Sequence, residues 1–573
     1  MRRILAARSQ LLRHASEAAL RSGLIAVAVI ATTQSASAQQ PPDVGGQLQQ
    51  IPPVTAPERP TPDLPTAPTQ LAPDAVAAGA SIYVQSVHVT GATLFSEAEL
   101  IEASGVAPGS TLSLPELRNA AAAITRFYNA RGYFLAQAYL PAQDVNQGAV
   151  TIAVIEGRYG DIELRNQSGA SDRVLRNLTD DLHSGDVVEI APLERSLLLL
   201  SDIPGVVVRS TLSPGDAVGT SDLTLDLDRG RRVTGSLEAD NAGNRYTGEY
   251  RFGGSVNFNN PTGIGDQISL RLLASTDGLA YGRAAYQLPV GEATLGVAYT
   301  HLQYELGREF GSLDASGTAD IFSVFGSYPI IRSRAHNLYA VGSFDYRMLE
   351  DEIGLVSQVS EKTSQSFSGG IRGDSRDSFG GGGSNAYSLI WTTGDLDIED
   401  PAERAADALT ADSQGSFNKL SFSLARLQNI DGPLSLYASI RGQLAFDNLD
   451  SSEKMQLGGA YGVRAYPEGE AYGDEGYVAT LEARVALDQW TGSLPGHFQF
   501  IAFADAGEVN FAHEPWFAGD NHARRYGAGV GLVWFGPDDL TIRATYASRV
   551  DDQEATSAPD ENGRAWFQVT KLF

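Results

Sequence analysis

From residue 232 to the C-terminus, apolar and polar residues alternate with a period of two, and the helical spacing of the earlier chain is gone. About sixteen runs of strand length begin near residues 232, 246, 266, 280, 292, 318, 336, 361, 384, 415, 432, 476, 496, 524, 538 and 565. Within them the two faces separate: Ile268, Leu270 and Leu272 oppose Gln267, Ser269 and Arg271, and Leu540, Ile542 and Ala544 oppose Thr541, Arg543 and Thr545. One apolar and one charged face per strand fits an antiparallel barrel with hydrocarbon outside and a wet lumen inside. Closure removes the open edges that so many strands would otherwise present. A propeller or β-helix would carry a signature of fixed period, and none is present.

Upstream the pattern is mixed. Val87 and Val89 alternate with Ser86, His88 and Thr90, as in a half-buried strand. Ser96-x-x-Glu99 and Ser113-x-x-Glu116 are capping boxes that satisfy free amides at two helix starts. Leu117, Ala120, Ile124, Phe127 and Tyr128 then recur at helical spacing, with Gly132 placed to close the helix. Strands are expected over 133–140 and 149–155. A second mixed unit opens with Ile162 and Leu164 in a strand. It continues through helices over 173–182 and 193–200, a turn at Asp202-Ile203-Pro204-Gly205, and strands at 206–208 and 223–228.

The N-terminus changes the picture of where the chain works. Arg2, Arg3, Arg8, Arg13 and Arg21 precede a short apolar run and the small-x-small triplet Ala36-Ser37-Ala38, the pattern of a cleaved export signal over residues 1–38. Residues 39–80 are rich in proline and poor in large apolar groups, which predicts an extended linker. With no cysteine among 573 residues, disulfides and thiolate metal sites are excluded. A net charge of −27 argues against nucleic acid as a partner. No phosphate-binding loop, His-Glu-x-x-His or Gly-x-Ser-x-Gly is present, and the eight histidines lack ligand spacing. Gly373-Asp374-Ser375, beside a glycine run, reads as a turn. The chain is therefore expected to be neither an enzyme nor a metalloprotein, and to carry no cofactor.

One stretch stands apart. Residues 458–476, GGAYGVRAYPEGEAYGDEG, are too rich in glycine for a helix or regular strand, yet carry Tyr461, Tyr466, Tyr472 and Arg464. Strand-like alternation flanks them on both sides, predicting two long strands joined by a long ordered loop. Gly462-Val463-Arg464-Ala465-Tyr466 resembles the Val-Arg-Gly-Tyr motif in the sixth loop of barrels that move polypeptides across or into outer membranes, with Ala465 where that motif has glycine. Phe503-Ala504-Asp505-Ala506-Gly507 resembles its partner, Phe-x-Asp-x-Gly. Asp240-Asn241-Ala242-Gly243 followed by Thr247-Gly248 is similar to the signature that opens such barrels. The terminal Phe573, with Phe567 and Val569 on one face, resembles the signal read by barrel-assembly machinery, although Lys571 stands where an apolar residue is usual. The mixed units, with Arg131-Gly132-Tyr133, Ala136 and Pro141, resemble POTRA domains.

Together these features resemble the two-partner secretion transporters, the haemolysin secretion/activation proteins of the POTRA-plus-barrel superfamily. The resemblance implies POTRA domains at 81–160 and 161–230 in the periplasm and an outer-membrane barrel at 231–573. It implies a secreted exoprotein as partner, haemolysin- or adhesin-like, that docks unfolded on the POTRA domains and leaves through the lumen. It further implies contact with the assembly machinery and with outer-membrane lipid. A barrel insertase is the alternative, although its best-known members have three or five POTRA domains. A passive porin would need none. The resemblance also implies a lock in which the loop folds into the lumen and Arg464 meets Asp505, supported by Val463, Tyr466, Phe503 and Gly507. A hydrated lumen would set the worth of that pair at about 1–3 kcal/mol. In the family a plug helix can precede the linker; only residues 43–51 could form one here, and Gly45-Gly46 argues against it.

Overall fold

The computed structural model describes residues 41–52, 81–145, 147–492 and 494–573; the expected export signal and most of the expected linker lie outside them. The first described element is a helix, α1 (Val44–Gln49), capped by Asp43, whose carboxylate accepts from the Gly46 amide at 2.8 Å. The expectation that the glycine pair argues against a plug is therefore corrected. A Cβ on Gly45 would collide with the side chain of Ser451 and the backbone nitrogen of Ser452. The glycine lets the helix lie directly against the stem of the long loop, and tertiary contact outweighs its poor helix propensity.

The first mixed unit comprises β1 (Ile82–Val84), β2 (Ser86–Thr90), α2 (Glu97–Ser104), β3 (Ser110–Leu112), α3 (Leu114–Asn129), β4 (Gln137–Tyr139) and β5 (Ala149–Ile155). Both capping boxes form. Leu117, Ala120, Ile124 and Tyr128 of α3 bury against Val84, Val87, Val150 and Ile152 of the strands. The central β5 pairs with β2 in parallel and with β4 antiparallel, leaving β2 and β4 as sheet edges. β4 is shorter than the expected 133–140, because residues 131–136 turn the chain out of α3 with Gly132 at φ +94°.

The second unit repeats the plan with β6 (Arg158–Asn166), α4 (Asp172–Asn177), α5 (Ile190–Asp202), β7 (Val206–Pro214) and β8 (Thr220–Arg229). Its central β8 runs parallel to β6 and antiparallel to β7. α4 ends five residues before the expected 182, yet Leu178 and Leu182 still bury in the core. Phe134 and Leu135 of the first unit pack on that same core, so the two modules are joined by side chains as well as by the backbone.

The barrel strands are β9 (Val233–Asp240), β10 (Arg251–Asn259), β11 (Gln267–Ser275), β12 (Ala280–Val290), β13 (Ala293–Glu305), β14 (Ala315–Arg332), β15 (His336–Ile353) and β16 (Gln358–Asp377). They continue as β17 (Gly383–Ile398), β18 (Gly415–Asp431) and β19 (Leu434–Ala445). Beyond a two-residue pair inside the long loop, β20 (Met455–Gln456) with β21 (Tyr472–Gly473), come β22 (Glu475–Ala486), β23 (His497–Asn510), β24 (His522–Phe535), β25 (Leu540–Arg549) and β26 (Gly563–Leu572). Sixteen antiparallel strands close into one barrel, β26 returning to β9 over five paired residues. The second strand begins at Arg251 rather than near 246, because Tyr246 and Thr247 leave the wall and bury against other inward groups.

Side-chain parity gives the outer face to Phe252, Leu272, Val297, Phe322, Phe367 and Leu481, all exposed, as a band facing hydrocarbon requires. Among the described residues no helix is long and apolar enough to cross a membrane. The near end of the barrel is fixed to the second module. Arg332 grips Asp202 with two hydrogen bonds of 2.8 and 2.9 Å, and Arg195 reaches Glu292 at 2.7 Å.

Candidate functional site

The connection between β19 and β22, residues 446–474, leaves the far end of the barrel and turns back into its lumen. Its tip is a tight turn in which the Tyr466 amide donates to the Val463 carbonyl at 3.0 Å. The turn places Arg464 against the inner wall. Its Nε and Nη2 donate to the two carboxylate oxygens of Asp505 at 2.8 Å each, and its backbone amide donates to the same group at 3.2 Å. The third arm, Nη1, donates to Glu482 on the neighbouring strand at 2.7 Å. The guanidinium lies over the Phe503 ring, 3.5 Å from its centroid. Arginine alone offers a planar fork for one carboxylate, a further donor for a second, and a face for an aromatic ring. The side chain of Asp505 is fully buried and that of Arg464 is 7 % exposed, a drier site than a hydrated lumen provides.

The remaining motif residues are brought to the same spot. Val463 is buried, and Gly507 gives it room on the wall: a Cβ there would meet Leu457 at 2.5 Å and Val463 at 3.3 Å. Tyr466 is buried and donates to Asp551 at 2.5 Å and to the Gln553 carbonyl at 2.9 Å. Ala465, where the related motif has glycine, faces Gly527 of β24, where an added Cβ would lie 2.7 Å from the Ala465 methyl. The extra methyl is accommodated by a bare wall position.

The opening signature also finds its place. Asn241 bridges the closing seam, donating to the Ala565 carbonyl at 2.9 Å and accepting from the Phe567 amide at 2.7 Å. Asp240 accepts from Arg251 Nε at 2.8 Å, and the same arginine donates to the Gln50 carbonyl just after α1. Thr247 donates to Gln47 of the helix at 3.0 Å. Gly243 and Gly248 sit in the connecting loop; a side chain on Gly243 would strike the Glu249 carbonyl at 3.0 Å, and Gly248 adopts φ +104°. Phe573 pairs its backbone with Gly235 of β9 at 3.0 and 3.1 Å, lengthening the seam. Lys571 stands on the outer face and donates to the Asp538 carbonyl at the barrel rim, which lets its stem lie along apolar surface while the ammonium reaches water.

Several residues of the site carried no sequence motif. Glu470, fully buried in the loop, accepts from Arg525 Nη2 at 2.7 Å and from the Thr556 and Ser557 amides at 2.8 and 2.9 Å. Trp566 Nε1 donates to the Arg464 carbonyl at 2.7 Å. The loop stem is held by ion pairs: Glu453 with Lys419 and Arg347, Asp450 with Lys362, and Lys454 with Asp474. The plug helix joins the same unit. Gln49 donates to the Ser452 carbonyl at 2.6 Å, Gln50 to the Tyr472 hydroxyl at 2.6 Å, and the Val44 amide to Asp351 at 2.9 Å. The available signal was the run of acids Glu468, Glu470 and Asp474 within a glycine-rich loop, which a solvated turn would have no reason to bury.

In the first mixed unit, burial pushes the Glu156 carboxyl up in pKa, but hydrogen bonds from Thr93, Leu94 and Tyr128 outweigh it and hold the group below the usual carboxylate range. This carboxylate ties the end of β5 to the turn before α2. Among the described residues no cluster of acids and histidines has the arrangement of a metal site.

Comparison with known proteins follows the same lines. Residues 219–533 match the family model of the haemolysin secretion/activation protein ShlB/FhaC/HecB, and residues 82–157 match the ShlB-type POTRA domain. The heme/hemopexin transporter protein HuxB of Haemophilus influenzae is 30 % identical over 475 residues, covering 81 % of this chain and 82 % of that protein. The outer membrane transporter CdiB of Dickeya dadantii is 24 % identical over 78 % of this chain and 76 % of its own length. The solved structure of CdiB from Escherichia coli superimposes with a TM-score of 0.68 at 22 % identity, covering 89 % of this chain and 94 % of that one. The chain belongs to the haemolysin secretion/activation family. It is an outer-membrane transporter of the two-partner secretion type, with its POTRA region in the periplasm.

Proposed function

We propose that this member of the haemolysin secretion/activation family receives one unfolded, secreted partner protein in the periplasm and passes it through the barrel to the cell surface. The observation that supports this most is that the lumen is filled by segments of the chain itself, not by its wall. The long loop is held by Arg464, and the plug helix rests on the loop stem through Gln49, Gln50 and Gly45. Both are attached by side chains and can be displaced without breaking the closed strand ladder. On the periplasmic side, the sheet edges β2 and β4 of the first POTRA unit offer backbone donors and acceptors to an extended chain, a mode that binds almost any sequence. Translocation in this reading makes or breaks no covalent bond and hydrolyses no nucleotide; folding of the partner outside gives the movement its direction. The partner is haemolysin- or adhesin-like in this proposal. Comparing the proteins in culture medium of cells with and without this chain tests it. Loss of one large secreted protein is expected, and an unchanged medium overturns the reading.

A further inference from the structure

The chain carries a net charge of −27, yet the inner wall of its barrel is basic. Strand parity sends Glu350, Glu352, Glu361, Asp395 and Asp397 to the outer side of their strands, at the far end. The same parity sends Arg283, Arg372, Arg441, Arg484 and Arg543 inward. In the outer half of the lumen the wall cations are already matched by carboxylates of the loop, as Glu453 matches Arg347 and Lys419 and Glu470 matches Arg525. Elsewhere on the wall the balance differs. Among the described residues no carboxylate pairs with Arg283, Arg372 or Arg543, and Arg441 donates only to the Tyr461 carbonyl. The nearby acids are engaged: Glu482 by Arg464 and Arg484, Asp374 by Asn337, Glu292 by Arg195, and Asp202 by Arg332.

The entrance continues this track. A cavity of about 370 Å³ lies where the Asp202–Pro204 turn of the second POTRA unit meets the barrel mouth, and Arg372 with Tyr339 forms part of its lining. A chain leaving the POTRA domains through this gap would meet an unpaired guanidinium first and further ones along the wall. A low-dielectric barrel focuses such a field, and arginines that already face water bind carboxylates with little new desolvation.

We propose that the lumen is a basic track that recognises an acidic, extended polypeptide, and that the carboxylates of the inward-folded loop occupy the outer half of that track at rest. The inference rests on the transport reading only in taking the lumen as the path; it adds the charge of the passenger.

The test is binding of fluorescein-labelled polyglutamate to the full chain in neutral detergent micelles, read by anisotropy. Saturable binding at low ionic strength is expected, weakening as salt rises. The double variant Arg372→Gln/Arg543→Gln should weaken it by about tenfold, since each substitution removes one inward charge. Arg426→Gln, which removes one charge from the outer face, should leave it unchanged, and retained heat-modifiable gel migration shows that each variant is folded. Polylysine, attracted to the acidic exterior, should bind the wild type and the double variant alike. Absence of saturable polyglutamate binding, or equal weakening by Arg426→Gln and the double variant, overturns the track. The measurement is made on purified chain. An unchanged culture medium would therefore fail the secretion reading without touching this result, and failed binding would leave secretion standing.

Discussion

At the scale of single residues, the clamp of Arg464 on Asp505 is buried deeply enough for the loss of one partner to strand the other. With both side chains out of water, that loss is expected to cost about 3–5 kcal/mol rather than the smaller figure of a hydrated lumen. Arg464→Ala and Asp505→Ala should each cut release of the partner protein sharply while barrel levels in the membrane stay near normal. The double variant should be hardly worse than the harsher single, because the pair acts as one unit; fully additive losses would refute it. Arg464→Ala should be the harsher single, since it also abandons Glu482. Ala465 allows a sharper test of how the tip seats. Gly527→Ala should loosen the loop, read as faster proteolysis at residues 458–476, and Ala465→Gly added to it should restore protection. The motif spacing made Arg464 and Asp505 legible, but the compensation at Gly527 was not, because the two residues meet only across the closed wall. Glu156 supplies a pH test. Its folded pKa lies below its unfolded value, so its contribution is present above the ordinary carboxylate range and is lost as pH falls through the folded value. In the full chain, Glu156→Gln should therefore weaken protection of the first POTRA unit against proteolysis at neutral pH and flatten its decline in acid. An unchanged acid profile would show that the carboxylate is not the group responsible.

At the scale of elements, the two-residue period located all sixteen strands, because a wall with lipid on one side and water on the other imposes alternation on every one of them. The starts of α2 and α3 were equally plain, since capping boxes are local in sequence. The plug helix escaped for the opposite reason. Its propensity is poor, and what orders it is contact with Ser451, Ser452, Tyr472 and Asp351, some three to four hundred residues away. Gly45 is therefore the residue to change. Gly45→Val should push α1 off the loop stem and leave the barrel intact. The expected readout is greater sensitivity of cells to large antibiotics normally excluded by the outer membrane, with no change in barrel amount. Gly105→Ala, at the end of a POTRA helix and with no atom near its missing side chain, should not raise permeability. A Gly45→Val strain no more permeable than wild type would show that the helix is held by its other contacts alone.

At the scale of the whole molecule, the order of modules was readable from where helical spacing gave way to alternation, but their mechanical coupling was not. Arg195, Asp202 and Arg332 are unremarkable in sequence, yet they fasten α5 to the barrel rim. Among the described residues the first POTRA unit shows no such hydrogen bond or ion pair to the barrel. It contributes no wall strand, and it is joined to the second unit by Phe134 and Leu135, which cover part of that unit's core, by the Ile190 amide on the Gly132 carbonyl and by Arg158 on Thr93 and Glu156. The closed ladder from β9 to β26 therefore does not depend on it. Deleting residues 81–156 should leave the barrel in the outer membrane, migrating faster unboiled than boiled on a detergent gel, because a ladder without open edges resists unfolding. Some loosening of the second unit is expected, since its core loses two apolar neighbours. Release of the partner protein should nevertheless fall to background, because the edges of β2 and β4 leave with the deletion. The same strain separates secretion from insertion. A transporter that serves one passenger should leave the other outer-membrane barrels at normal abundance, whereas a broad fall in unrelated barrels would assign the chain to assembly. Undiminished release of the partner would instead place its docking on the second POTRA unit, beside the Asp202–Pro204 turn and the arginine at the barrel mouth.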